Sequence, residues 1–197
     1  MLPNLGDTLT NPRPNGMANA TDHSANFPIF LGAPNVHHSA LQGHAVWNGN
    51  TLTITANGNV NYRFIPAIQG AISYCVLPGQ GHDSDCYVIS DQYGGCEYHT
   101  LYHQAQNLFA FLHVYRGGGQ TVNYNLAAGW IRQSIIRSAE IAQAHGMAGS
   151  NWSVSYINRA QQPANVQSKF IHINGNLLVT GESNGNVPYN NNQCTIL

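Results

Sequence analysis

VISDQYGGCEYHTLYHQAQNLFAFLHVYRGGG, residues 88–119, is the segment around which the rest of the chain is organised. It contains a run at 108–115 that is apolar at nearly every position, which is typical of a central strand covered on both faces. A shorter apolar run, residues 87–89, precedes two glycines and Cys96. Because His113 lies near the end of the longer run, the segment predicts two strands that can bring a thiol and an imidazole together.

The residues before this segment predict an antiparallel meander. Residues 44–48 and 51–55 flank a Gly-Asn pair, which is a favourable two-residue hairpin turn. An Asn-Gly pair then turns the chain into a third strand at residues 60–65. The apolar run at 71–77 has the length of a buried strand and ends at a Pro-Gly pair.

Residues 126–145 predict the one long helix of the chain. Ile131, Ile135, Ala139 and Ala142 recur at spacings of three and four residues, and no proline interrupts the pattern. Such spacing indicates an amphipathic helix that buries one stripe of side chains.

Many short strands, one helix and no strand–helix alternation together predict an α+β fold. We expect mixed or antiparallel β-sheets in a sandwich-like arrangement, with one long helix flanking them. Residues 1–26 are rich in Asn, Pro, Gly and Thr and predict a loose N-terminal arm. Residues 27–197 predict a single catalytic domain. Its later part adds strands at 152–157 and, around an Asn-Gly turn, at 169–173 and 177–180.

The composition excludes several classes of function. Charged residues make up 8% of the 197 residues, against about 25% in an average domain, and the net charge is -1. No basic stripe is visible, which argues against a nucleic-acid partner. No apolar run reaches the ~20 residues of a membrane span, and the N-terminus does not resemble a signal peptide. The low density of cysteine predicts free thiols at Cys75, Cys86, Cys96 and Cys194.

Cys96 and His113 have the residue types of a nucleophile and its base. A thiol attacks a carbonyl carbon as the thiolate, so a nearby proton acceptor is needed at neutral pH. Gly94 and Gly95 allow a tight backbone elbow before the cysteine, whose N–H groups can face a developing oxyanion. We therefore predict a catalytic pair of Cys96 and His113 with an oxyanion-binding elbow.

The order Gly-Gly-Cys, then a buried run that carries His113, resembles cysteine-dependent glutamine deamidases of the CheD, cytotoxic necrotizing factor and Burkholderia lethal factor type. Here His113 follows Cys96 by 17 residues. In that family a residue six places before the cysteine orients the histidine, and Ser90 holds that place here. By resemblance, Cys96 is the nucleophile, His113 the base and Ser90 the orienting residue. Gly94 stands where the family has a serine.

The resemblance implies hydrolysis of a glutamine side-chain amide in a target protein, with ammonia as the leaving group. It implies no metal and no organic cofactor. Several members of the family are bacterial toxins or effectors. By resemblance, we expect a protein that is secreted or delivered into a host cell's cytosol and takes a host protein as its substrate.

A zinc site is one alternative. Cys96, His99 and His103 have a spacing that can bind zinc, provided that the two histidines share the face of a helix. Position 100 is threonine, so the glutamate of the zinc-protease motif is missing.

ADP-ribosyl transfer is a second alternative. The segment that contains Arg116 resembles the first-strand arginine motif of the arginine–serine–glutamate class of toxins. Ser153 and Glu182 follow in the order that this class uses.

A non-catalytic, β-rich binding module is the third alternative. Low charge and 10 tyrosines suit a surface that contacts carbohydrate or protein.

Overall fold

The protein is nearly all β. The computed structural model describes residues 2, 7–32, 35–79, 85–118, 120–137, 151–161, 164–173 and 177–184. Strands account for 56% and helices for 2%, and the described residues include no helix of seven or more residues. The prediction of an α+β fold with one long flanking helix is therefore wrong.

The strands in the described residues are short and follow one another closely. In chain order they are β1 (Thr8–Thr10), β2 (Ala18–Asn19), β3 (Phe30–Leu31), β4 (Val36–His38), β5 (Leu41–Asn48), β6 (Thr51–Thr55), β7 (Tyr62–Ile65), β8 (Ile72–Pro78), β9 (Cys86–Ser90), β10 (Glu97–His103), β11 (Leu108–Val114), β12 (Arg116–Gly117), β13 (Gln120–Thr121), β14 (Asn125–Leu126), β15 (Trp130–Arg137), β16 (Asn151–Asn158), β17 (Asn165–Ile173) and β18 (Leu177–Asn184). One turn of 3-10 helix, Gln104–Gln106, connects β10 to β11.

Most of these strands form two sheets. The larger sheet has nine strands in the order β1-β6-β5-β7-β9-β16-β17-β18, with β2 paired to β5. The smaller sheet has five strands in the order β15-β10-β11-β8-β4. Both sheets are mixed, because β1–β6, β7–β9 and β4–β8 are parallel while the other pairs are antiparallel. Two short strands, β1 and β2, lie within residues 1–26 and pair with the larger sheet.

The β5–β6 hairpin of the predicted meander is confirmed, but the meander order is wrong, because β7 pairs with β5 and not with β6. Strands β5 and β6 pair antiparallel with Asn48 opposite Thr51, and β5 also pairs antiparallel with β7. Gly49 lies between β5 and β6 with a φ of 66°, which glycine adopts without steric cost. Local turn chemistry therefore sets the register of this hairpin.

Strand β11 is central in the five-stranded sheet, as its apolar run predicts. It pairs with β10 on one side and β8 on the other, and every one of its residues is buried. A strand that is covered on both faces carries apolar side chains at successive positions. His113 is the exception among them, and its side chain is fully buried.

The predicted helix at 126–145 falls partly on strand β15. Residues 138–145 lie outside the described part of the chain, but Trp130–Arg137 pairs with β10 along its length. A spacing of four places two residues on one face of a helix, and on one face of a strand as well. The spacing of Ile131 and Ile135 therefore fits a helix and a strand equally and does not decide between them. Ile131 is 46% exposed, and Ile136 enters the core instead.

The two sheets pack face to face. The core between them takes Val88 and Ile157 from the larger sheet and Phe109 and Phe111 from the smaller one. Each sheet has a further apolar layer on its outer face. On the five-stranded sheet that layer is covered by residues near Ile29 and Tyr124. A side chain on β10 or β11 consequently points either between the sheets or into this outer layer.

Candidate active site

Cys96 and His113 lie on neighbouring segments of the five-stranded sheet. Cys96 immediately precedes β10, and Tyr98 on β10 is directly opposite His113 on β11. Side chains alternate along a strand, and Cys96 and Tyr98 both belong to the core between the sheets. Cys96 and His113 are thus diagonal neighbours on the same face of the two strands. The Cα atoms of such neighbours are typically about 7–8 Å apart. The strand that follows Cys96 thus pairs with the strand that carries His113, whereas the apolar run at 87–89 lies on β9 of the larger sheet.

Ser90 holds the imidazole of His113 across the gap between the sheets. The Ser90 hydroxyl donates to the carbonyl of Ile65 at 2.7 Å, and its oxygen lies 2.9 Å from Nδ1 of His113. A hydroxyl has one proton to donate, so the Ser90 oxygen accepts the Nδ1–H of the imidazole. This hydrogen bond selects the tautomer whose Nε2 carries a lone pair. No described residue forms a hydrogen bond with that buried Nε2.

Tyr93 covers the other side of the imidazole. Its ring stacks on His113 with centroids 4.4 Å apart and an interplanar angle of 24°. The hydroxyl of Ser153, on β16, donates to the Tyr93 hydroxyl at 3.2 Å. The loop between β9 and β10 is therefore anchored to the larger sheet at the point where it covers the candidate base.

Burial keeps both members of the candidate pair neutral. It lowers the pKa of His113 to about 4, so the imidazole is uncharged at neutral pH. Burial also raises the pKa of Cys96, although a hydrogen bond with the backbone of Arg116 acts in the opposite direction. The Cys96 side chain is 6% exposed. The resting arrangement is therefore a neutral thiol and a neutral imidazole at diagonal positions on one face of the sheet.

The glycine elbow differs from the prediction in its backbone. Gln92, with a φ of 64°, is the left-handed residue of this loop, and neither glycine has a positive φ. The N–H of Gly94 donates to the carbonyl of Gln92 at 3.1 Å. A Cβ on Gly94 would contact nothing within 4 Å, and one on Gly95 would make ordinary contact with the carbonyl of Arg116. Neither backbone strain nor packing requires glycine at these two positions.

The buried imidazole predicts a pH-dependent contribution to stability. The unfolded chain takes up a proton near the ordinary pKa of 6.5, whereas folded His113 takes it up near 4. Stability from this group is complete above about pH 6.5 and is lost as the pH falls towards 4, by about 3 kcal/mol in total. We expect His113→Phe, which keeps an aromatic ring, to remove this dependence.

Urea unfolding at about pH 7.5 and about pH 5 measures the effect. The wild-type protein is expected to lose about 2 kcal/mol more than His113→Phe between these two conditions. Equal losses in the two proteins would show that the folded imidazole is protonated in the ordinary range.

The residues of the zinc alternative do not converge. Cys96 faces the core between the sheets, whereas His99 hydrogen-bonds with Glu97 and Tyr124 on the opposite face. The segment is a strand, so the four residue steps from His99 to His103 span about 13 Å. Among the described residues, no group of three or more His, Cys, Asp and Glu side chains could hold a metal ion.

The residues of the ADP-ribosyl transfer alternative lie on three different strands. Arg116 is half-buried on β12, and Ser153 is fully buried on β16 with its hydroxyl on Tyr93. Strand β17 separates β16 from β18, where Glu182 is opposite Lys169. The hydroxyl of Ser153 is thus part of the core between the sheets.

Comparisons of the chain with models of protein families, with curated proteins and with solved structures found no match. The resemblance to glutamine deamidases therefore rests on the sequence motif, and it stays a prediction. In the described part of the chain, no helix is both long enough and apolar enough to cross a membrane.

Sequence reasoning missed one polar group near this site. Glu97 and His99, which alternate along β10, form a hydrogen-bonded chain with Tyr124 on the outer face of the sheet. The Glu-x-His spacing was visible, because it places both side chains on one face of a strand. The contact of Tyr124 with this group could not be predicted, because Tyr124 comes from a segment that covers the sheet.

Proposed function

We propose that the protein is a cysteine hydrolase that converts a glutamine side chain of a target protein into glutamate. The hydrogen bond between Ser90 and Nδ1 of His113 carries the proposal. It leaves Nε2 as the available base, on the face that Cys96 shares. The three residues have the roles that the resemblance to glutamine deamidases implies.

The proposed reaction uses the His113 tautomer that has its proton on Nδ1 and a lone pair on Nε2. Nε2 of His113 takes the proton of the Cys96 thiol, and the thiolate sulfur bonds to the amide carbon. The resulting oxyanion accepts a hydrogen bond from the backbone N–H of Gly95, since that of Gly94 already donates to the Gln92 carbonyl. The imidazolium then gives its proton to the leaving nitrogen, the C–N bond breaks, and ammonia departs. A water molecule, deprotonated by Nε2, attacks the thioester and releases glutamate and the thiol.

The neutral resting pair sets a requirement on substrate binding. A proton moves from a thiol of raised pKa to an imidazole of lowered pKa only at a cost in free energy. Contacts with the substrate must offset that cost, and the 91–95 loop is the segment that covers His113, through the ring of Tyr93. The enzyme then forms its thiolate when a substrate is bound.

The same proposal places the protein's action in the cytosol of a host cell, with a host protein as substrate. A catalytic thiol has to be reduced where it acts, and the cytosol keeps thiols reduced. Within the described part of the chain, no disulfide joins Cys75, Cys86 and Cys96 to one another.

Alkylation by iodoacetamide tests the nucleophile. We expect Cys96 to react at least about tenfold faster than Cys75 and Cys86, because His113 can accept the thiol proton as the sulfur is alkylated and the other two thiols are more deeply buried. His113→Phe is expected to slow the alkylation of Cys96 and to leave the other rates unchanged. Peptide mass spectrometry after timed quenching measures each cysteine separately. Equal rates at all four cysteines would contradict the proposal.

A binding module remains the second candidate, and burial is the observation that favours it. His113 is fully buried and Cys96 nearly so, as expected for side chains that serve only the core of a β-sandwich. In that case His113→Phe leaves the alkylation rate of Cys96 unchanged.

A further inference from the structure

A polar cleft lies on the outer face of the five-stranded sheet, away from the core that holds Cys96 and His113. Its volume is about 220 Å³, and it is enclosed by β10, β15 and residues 121–124. The proposed hydrolase mechanism uses none of its side chains. Its polar lining includes Glu97, His99, Thr121, Tyr124, Arg132 and Arg137.

Three of these side chains are joined to one another by hydrogen bonds. Nε2–H of His99 donates to Glu97 at 2.8 Å, and Nδ1 accepts the Tyr124 hydroxyl proton at 2.6 Å. All three residues are buried. Burial acts to raise the pKa of Glu97, but His99 and Arg137 outweigh it and lower that pKa, so the carboxylate is ionised. The hydrogen-bonded side chains of Glu97, His99 and Tyr124 therefore line one side of the cleft. The hydroxyl proton of Tyr124 is donated to His99 and is not left for a ligand.

The charges in the cleft do not balance. Nε of Arg137 lies 3.3 Å from the Glu97 carboxylate, so these two charges form a pair. Burial lowers the pKa of His99, which leaves the imidazole neutral. Arg132 contributes a second positive charge that no carboxylate in the lining offsets. One positive charge thus remains in a partly buried site.

The guanidinium of Arg132 is held in place with its donors largely unused. Its Cζ lies 4.8 Å from the centre of the Tyr124 ring, a stacked position that leaves the N–H groups at its edge available. One of them makes a 3.5 Å hydrogen bond to the Tyr124 carbonyl. Its Nε is buried and has no hydrogen-bond partner among the described residues.

We propose that this cleft binds a carboxylate group, which accepts two parallel hydrogen bonds from the guanidinium of Arg132. Planar guanidinium and planar carboxylate match in this geometry. The single uncompensated positive charge favours a monoanion over a dianionic phosphate. The carboxylate belongs either to a free small acid or to an acidic side chain of a polypeptide. The proposal does not depend on Cys96 being a nucleophile.

To test the proposal, the full chain is titrated with propionate. The protein carries Cys96→Ala, which prevents turnover. Amide chemical shifts report the binding, and we expect saturable shifts at Thr121 and Asn123. With Arg132→Gln the affinity is expected to fall about tenfold or more, the loss of a charge-assisted pair. Arg132→Lys, which keeps the charge without the planar fork, is expected to bind with intermediate affinity. Arg13→Gln removes the same charge at an exposed residue that lies over Phe64, and it is expected to bind like the parent.

Three outcomes would overturn the proposal. They are no saturable shift in the parent protein, an affinity that Arg132→Gln and Arg132→Lys both leave unchanged, and tighter binding of methylphosphonate than of propionate. Because the readout is binding to a Cys96→Ala protein, failure here is separate from failure of the hydrolase proposal.

A peptide arm identifies the source of the carboxylate. A short peptide with one glutamate is compared with the same peptide carrying glutamine. Binding of the glutamate peptide at least about tenfold tighter than propionate assigns the carboxylate to a polypeptide, and equal affinity assigns it to a free acid. Equal binding of the two peptides would contradict carboxylate recognition.

Discussion

Replacing Cys96 with alanine is expected to reduce amide hydrolysis at least about a thousandfold, because no other group in the site can form the thioester. The side chain is small and loses one sulfur atom, so the fold is expected to persist. The assay incubates the protein with a desalted extract of eukaryotic cytosol and measures released ammonia. Mass spectrometry of the extract then identifies the glutamine that became glutamate.

Cys75→Ala is the matched control for this experiment. Cys75 is a free cysteine of the same core, on β8, and it is more deeply buried than Cys96. We expect it to lower the free energy of unfolding by about 1 kcal/mol and to leave the rate of hydrolysis unchanged. Equal activity of Cys96→Ala and wild type, or equal loss in the two variants, would contradict a nucleophilic role for Cys96.

Replacing Leu112 with alanine is expected to lower the free energy of unfolding by about 2–5 kcal/mol. Leu112 is fully buried in β11, and its side chain lies in the outer apolar layer of the five-stranded sheet. Truncation leaves a cavity that close-packed neighbours on β3 and near Tyr124 can fill only in part. Urea unfolding at neutral pH measures the change.

Leu31→Ala makes the same chemical change at an exposed position. Leu31 is on β3 and is 57% exposed, so we expect a change of no more than about 0.5 kcal/mol. A small effect of Leu112→Ala, or similar effects in the two variants, would show that the outer layer is not packed against β11.

Two of the candidate catalytic residues could be selected from the sequence because each has a local signal. Cys96 follows two glycines and His113 interrupts an apolar run, whereas Ser90 was selected through the resemblance to glutamine deamidases, from its place six residues before the cysteine. The hydrogen bond between Ser90 and His113 joins two sheets. Their burial, and the shift it causes in the pKa of His113, had no local signal, because burial depends on the sheet that packs opposite.

The helix prediction failed for a physical reason. Ile131 and Ile135 fit a helical stripe and a strand face equally well, and residues 130–137 contain no glycine or proline to arbitrate. Pairing with β10 decided the outcome, because it satisfies the backbone groups of β15 that face β10. Residues 138–145 of the predicted helix lie outside the described part of the chain.

The amino-acid sequence by itself determined the features that depend on neighbours along the chain. These are the hairpin at Gly49 and the central strand β11, because turn chemistry and apolar runs act locally. The order of Ser90, Cys96 and His113 along the chain is likewise a property of the sequence. The tertiary structure alone decided that residues 130–137 form a strand, and it brought Tyr124 and Arg132 to Glu97 and His99. Those contacts join segments that are distant along the chain, and packing between sheets and their covering segments selects them.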